Sequence, residues 1–205
     1  MEAKLLLIPW MAAVIYSSIP LFWFAIHPFA ARWRRMKRSP YRVLLPLWAV
    51  LIAAEAFLTW PWHSVQVYSS LWGWIPATFL SFYGLVTYKR IFSGFGGHKL
   101  SGEAELRREE HEQQLVTTGL HASMRHPIYF AHLCEMAGWT LMSGLAVNYV
   151  LLGVSALITF PIMIALEDRE LEARFGQSYR DYRSRVPAVI ILPWKGRRLE
   201  QSTSH

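Results

Sequence analysis

Residues 123–139 read SMRHPIYFAHLCEMAGW: a basic corner, Arg125-His126-Pro127, followed by an apolar run that carries His132 and Glu135. Proline is tolerated in the first turn of a helix, where its missing N–H leaves nothing unsatisfied. Pro127 therefore marks a helix start, with Arg125 and His126 just before it. Arg125, Tyr129, His132, Glu135 or Met136, and then Trp139 recur at intervals of three and four, so one helical face is polar. An ionised side chain in hydrocarbon is costly unless it faces protein or water. Glu135 is thus expected to point into a helix bundle toward a partner, and His132, one turn away, is the partner the spacing offers.

The rest of the chain supplies that bundle. It has 205 residues, 53% of them hydrophobic and 15% aromatic, above the usual apolar share of a soluble domain. A membrane helix takes about 20 largely apolar residues, and such runs lie at 5–31, 43–62, 65–88, 128–147 and 149–166. The expected fold is all-α: an integral membrane bundle of five transmembrane helices with a cytoplasmic amphipathic C-terminal helix. Residues 1–205 form a single membrane domain, with a cytoplasmic region at 89–127 and 167–194. The first run is too long for a signal-peptide core and lacks a small-residue cleavage site, so it is read as a retained helix.

The formal charge of +7 would suggest nucleic acid in a soluble protein. Its placement argues otherwise. Of the 21 Lys and Arg residues, all but Lys4 fall between runs one and two, between runs three and four, or after run five. By the positive-inside tendency those segments are cytoplasmic, which puts the N-terminus outside and the C-terminus inside. The basic residues then set topology and meet membrane lipids, and no nucleic acid or obligatory protein partner is expected. The outer connections are short and the inner ones long, so exchange with soluble molecules belongs to the cytoplasmic face. The near-minimal length and missing targeting extension suggest a prokaryotic inner membrane.

Several tempting features carry little. Cys134 is the single cysteine, which excludes an intramolecular disulfide and any multi-cysteine metal site; it reads as a small buried apolar group. The stretch SGFGGHKLSG has neither GxGxxG spacing nor a GK[ST] ending and follows no strand, so it reads as a linker. His111 lies in a charged helical segment, and no metal site is expected. Glu55, a second intramembrane acid, is expected to pair with His132 or an arginine. After run five, Leu171, Phe175, Tyr179, Tyr182 and Val186 recur at helical spacing opposite a charged face, which describes an amphipathic helix at the inner surface, placed to cap a pocket opened by the fourth helix. Its leading acids, Glu167 and Asp168, emerge at the depth of Arg125 and His126, and the two charged clusters are expected to meet.

LVTTGLHASMRHPIYFA followed by EDRELEARFGQSYRDYRSRVP resembles the isoprenylcysteine carboxyl methyltransferase and phospholipid methyltransferase family of membrane enzymes. The likeness covers residues 113–187 and joins two separated motifs in order. It implies an S-adenosyl-L-methionine-dependent methyltransferase whose cofactor lies at the cytoplasmic face and whose acceptor is a lipophilic small molecule or lipid. Carried over by position, the family's cofactor contacts fall on Gln113, Gln114, Leu115, Val116, His121, His126, Pro127, Ile128, Tyr129 and Glu167. Backbone donors near the helix start suit the cofactor's carboxylate, Glu167 suits its hydroxyls or amino group, and Tyr129 and Tyr179 suit its sulfonium. Arg125, His132 and Glu135 are the candidate catalytic groups, with Glu135 and His132 as a base for an amine acceptor.

The departures bear on the acceptor. The family arginine that holds a prenylcysteine carboxylate falls, by ungapped counting, on Met163; Ala131 stands for glycine, His121 for an aromatic, and Ala188 for a basic residue. A thiol acceptor would need less help than an amine. Membrane sterol and steroid reductases, which use NADPH, share an RHP-x-Y corner and a similar tail, but theirs reads RHPNY followed by Gly-Glu, where this chain has RHPIYFA. A membrane scaffold without catalysis is the third reading.

Overall fold

The computed structural model describes residues 3–29, 32–33, 35–36, 39–94 and 114–189. Its helices are α1 (Ala3–Phe24), α2 (Tyr41–Thr59), α3 (Trp74–Gly94), α4 (Pro127–Ser143), α5 (Ala146–Val154), α6 (Phe160–Phe175) and α7 (Gln177–Arg185). Short 3-10 turns follow α1 and α2 and precede α3 and α4. Among the described residues no strand forms beyond one isolated bridge, Gln66 to Leu145.

Three stretches are long and apolar enough to cross a membrane: Leu5–Phe29, Tyr41–Trp62 and Ala146–Phe175. The last joins α5 and α6 through a π turn at Ser155–Thr159. Proline explains the turn. Pro161 has no N–H for the carbonyl of Leu157, and widening the helix by one residue relieves the clash. The expected boundaries shift in four places. Run one leaves the α-helix at Phe24, and the run at 149–166 starts earlier and continues to Phe175. The expected third helix does not begin at residue 65: Val67 N–H donates to the Gly144 carbonyl at 2.7 Å and Ala146 N–H to that of Val65 at 2.8 Å, so this segment crosses the end of α4 instead. The fourth ends at Ser143 because Gly144, at φ 64°, turns the chain into a left-handed cap.

Helices α3 and α4 pack along their lengths. Small residues make that possible. Ala77 and Gly84 on α3 and Ala131 and Gly138 on α4 are buried, letting the backbones approach, which is how helices associate where apolar burial gains nothing against lipid. A Cβ at Gly84 would lie 2.6 Å from Glu135 Oε1. Helix α1 fills the centre. At one end its Leu6, Trp10 and Val14 pack on Leu145 and Val147, and Asn148 Nδ2 donates to the carbonyl of Pro9 at 3.1 Å. Toward the other end Tyr16, Trp23 and Phe24 pack on a cluster of Tyr129, Met136, Phe160 and Met163. Helix α2 is almost wholly exposed.

Candidate functional site

The two charged clusters meet at the start of α4. His126, the residue before Pro127, places Nε2 2.9 Å from Asp168 Oδ1 and Nδ1 3.2 Å from Glu167 Oε2. Arg125 donates from Nη2 to Asp168 Oδ2 at 2.8 Å and from Nη1 to the Val186 carbonyl at 2.6 Å. The Tyr179 hydroxyl donates to Asp168 Oδ1. Buried Asp168 is therefore the hub of the corner, a role that motif carry-over, which selected its neighbour Glu167, did not assign.

Chain reversal brings these groups together. The expected single amphipathic helix is two helices: Gly176 takes φ 58°, a conformation a Cβ disfavours, and α7 folds back from it. Tyr179 and Tyr182 are thereby buried against the corner, and the Tyr182 hydroxyl donates to the His121 carbonyl at 2.7 Å. Beyond α7 the chain clips on through its backbone. Arg125 N–H donates to Pro187 and His126 N–H to Ala188, both at 2.9 Å. These two N–H groups just before the helix start are thus already engaged.

Charge is unevenly held. Burial alone would lower the pKa of His126, but the Glu167 charge and the hydrogen bond to Asp168 outweigh it and raise it to about 9, so the ring is an imidazolium at neutral pH. His121 goes the other way, to about 4, through burial and the neighbouring His126 charge, and is neutral. Burial pushes Tyr182 up to about 12.

A cavity of about 220 Å³ opens beside the corner. Gln114, Leu115, Val116, His121, His126, Pro127, Ile128, Tyr129 and Glu167, all expected as cofactor contacts, line it; Gln113 lies outside the described residues. Arg125 and His132 line it as well, and Glu135 does not. Motif reading missed the wall from α1. Trp23 and His27 reach the cavity, with the His27 ring stacked on Trp23 at 5.2 Å and its Nδ1 2.6 Å from Glu170 Oε2. Glu170 also takes Arg174 Nη2 at 2.7 Å. A histidine near the end of the first apolar run was the available signal. Glu167 Oε2 is buried against His126 Nδ1, and although burial alone would raise its pKa, the His126 charge outweighs this and holds the carboxyl well below the usual range.

Deeper in the bundle lies a second polar cluster. His132 Nδ1 is hydrogen bonded to the Tyr88 hydroxyl of α3, and the ring of Tyr16 on α1 lies 5.6 Å from the imidazole. Glu135 is 4% exposed, as expected of an inward acid, and its Oε1 has no hydrogen-bond partner among the described residues. The expected pair does not form: His132 is bonded to Tyr88 of the facing helix instead. Glu55 likewise pairs with neither His132 nor an arginine; the Ser17 hydroxyl donates to it.

Comparison with known proteins adds the family. Residues 102–178 match the family model described as phospholipid methyltransferase. The chain is 27% identical over 185 residues to methanethiol S-methyltransferase 1 of Bradyrhizobium diazoefficiens, a match covering 89% of this chain and 53% of the relative. It is 33% identical over 94 residues to protein-S-isoprenylcysteine O-methyltransferase B of Arabidopsis thaliana, covering 46% of this chain and 47% of the relative. With the protein-S-isoprenylcysteine O-methyltransferase of Schizosaccharomyces pombe the identity is 34% over 89 residues, 43% of this chain and 37% of the relative. The chain thus spans about half or less of the length of these relatives. No solved structure matches it. These matches support the isoprenylcysteine and phospholipid methyltransferase family and do not favour the reductase.

Proposed function

From the match of residues 102–178 to the phospholipid methyltransferase family, we propose that the protein is an integral membrane, S-adenosyl-L-methionine-dependent methyltransferase. The observation that carries the reading is the single cavity shared by the Arg-His-Pro corner and the acid after the last apolar run. The residues present fit the cofactor. Glu167, a carboxylate paired with His126, lines the cavity and suits a ligand that is rich in N–H and O–H donors and carries positive charge. Arg174 suits its carboxylate, and the rings of Trp23, Tyr129 and Phe175 suit its base and sulfonium. When bound, the cofactor supplies an electrophilic methyl group for in-line displacement, so the protein's part is alignment and exclusion of water.

Five spans complete the topology, with α3 and α4 crossing beside the three long apolar stretches. The N-terminus is outside, the long basic connections are cytoplasmic, and the amphipathic C-terminal segment lies on the inner surface. A polar cofactor enters from the cytosol, and a lipophilic or small apolar acceptor enters between helices. Arg125 serves as a positioning residue, since its guanidinium holds Asp168 and the Val186 carbonyl.

The acceptor we favour carries a removable proton, a small thiol or a lipid amine. Met163 is buried among Tyr129, Met136 and Phe160 and offers no cation to a carboxylate. His132 lines the cavity and is the base such an acceptor requires. Calorimetry in detergent tests the cofactor: S-adenosylhomocysteine is expected to bind in the micromolar range and NADPH not at all, and the reverse result refutes the reading. Incubation with labelled cofactor and either a total lipid extract or a short alkyl thiol identifies the acceptor.

A further inference from the structure

Helix α6 turns a face with two opposite charges to the cavity. Glu167, Leu171 and Arg174 recur at intervals of four and three, the spacing of one helical face, and all three line the cavity. Seven residues at about 1.5 Å of rise each set the acid and the guanidinium about 10 Å apart along the axis, with an apolar side chain between them. The cations at the acid end are committed to the corner: Arg125 is bonded to Asp168 and to the Val186 carbonyl, and His126 lies between Asp168 and Glu167. Arg174 stands apart from that cluster, two turns along the same face.

The end of α1 braces this guanidinium through Glu170. Glu170 accepts from Arg174 Nη2 through Oε1 at 2.7 Å, and its Oε2 lies 2.6 Å from His27 Nδ1. Beside Arg174 the carboxylate is ionised and can only accept, so the hydrogen shared with His27 sits on the imidazole. The His27 ring is in turn stacked on Trp23 at 5.2 Å, and the Arg174 guanidinium lies 5.8 Å from the centroid of the Phe175 ring. The side chains of His27 and Arg174 are only 5% and 11% exposed, so protein and not solvent holds the group in place. A guanidinium is a planar fork of five N–H donors, and a carboxylate bonded to one of them sets the plane in which the others lie.

We propose that Arg174 takes the carboxylate of the bound cofactor, and that Glu170, held by His27 and Trp23 of α1, is the positioning residue that aims it. The ligand then lies along α6, with its ribose hydroxyls at Glu167 and its carboxylate two turns further on. This deepens the methyltransferase reading and rests on it: S-adenosyl-L-methionine carries its ribose hydroxyls and its carboxylate on opposite sides of the sulfonium, and the face of α6 offers an acceptor and a donor fork in that order. It also gives α1, which lies outside the matched residues 102–178, a part in selecting the ligand.

The test compares two ligands on the same protein. S-adenosylhomocysteine and its analogue without the carboxylate, S-adenosyl-3-thiopropylamine, are each titrated calorimetrically into the full chain in detergent. The unmodified protein is expected to bind the analogue about 10- to 150-fold more weakly, the ratio that loss of a hydrogen bond between charged groups implies. Arg174→Ala should bring S-adenosylhomocysteine to the affinity of the analogue while moving the analogue by no more than about twofold, and Arg174→Lys should recover part of the difference. Glu170→Ala, which frees the guanidinium to turn, should weaken S-adenosylhomocysteine about fivefold and spare the analogue. Glu167→Ala should weaken both ligands by the same factor, since both keep the ribose. Equal affinity of the two ligands for the unmodified protein, a result that requires no variant to fold, overturns the proposal, and so does an Arg174→Ala protein that still tells them apart. Tighter binding of S-adenosylhomocysteine by Glu170→Ala overturns the bracing role. Binding of neither ligand to the unmodified protein defeats the methyltransferase reading and the proposal with it, whereas equal binding of both defeats the proposal alone.

Discussion

Replacing Glu167 by alanine separates the ligand-binding part of the corner from the part that holds the fold. Asp168 carries the structural load: it takes Arg125, His126 and Tyr179, and all three contacts survive the change. Glu167 by contrast lines the cavity and is paired with His126. A hydrogen bond to a charged group contributes about 1.5–3 kcal/mol, and about 1.4 kcal/mol is tenfold in affinity. Glu167→Ala is therefore expected to weaken S-adenosylhomocysteine binding about 10- to 150-fold, taking a micromolar complex toward the millimolar range, in a protein that still folds but unfolds at a lower midpoint near neutral pH because the ion pair with His126 is lost. Glu167→Gln keeps an acceptor without the charge and should fall between. Isothermal titration in detergent, with folding checked on the same preparation, measures both. Affinity unchanged within about twofold in a folded Glu167→Ala protein refutes the placement of the ligand.

Arg125→Ala removes one partner of a buried ion pair and the donor to Val186, so it should destabilise the protein by about 3–5 kcal/mol in thermal or denaturant unfolding; Arg125→Lys should recover part of this, because a point charge does not span both acceptors. The pKa of His126 is raised from 6.5 to about 9 in the folded protein. Its contribution to stability is thus complete below pH about 6.5 and is lost as pH rises through about 9, and His126→Gln should flatten the fall in unfolding midpoint across that window. Gly84→Ala should cost about 1–3 kcal/mol by pushing α3 from α4, and adding Glu135→Ala should return part of that loss, since the two positions share one space.

Much of the site was legible because it rests on local chemistry. Pro127 at a helix start, the acid pair at the end of a long apolar run and the aromatic spacing from Leu171 to Tyr182 each follow from rules that act within a few residues. What escaped is long-range. Val65 to Tyr68 reads on into α3 by hydropathy, and nothing local reveals that Gln66 pairs with Leu145. Helical spacing placed His132 and Glu135 on one face correctly, but Tyr88, which arrives from α3, determines whom His132 meets. Trp23 and His27 lie outside the matched segment altogether, so their place in the cavity emerges only from packing.

The π turn at Ser155–Thr159 has a bearing on how this chain is compared with its relatives. Each residue of an α-helix advances the side-chain direction by about 100°. One residue wound into a wide turn therefore rephases everything downstream, Glu167 included. A relative with a plain helix there, one residue shorter, would present the same inward groups at shifted sequence positions. Equivalences beyond residue 159, including whatever stands opposite Met163, are accordingly to be drawn by helical angle about the axis and not by counting along the chain.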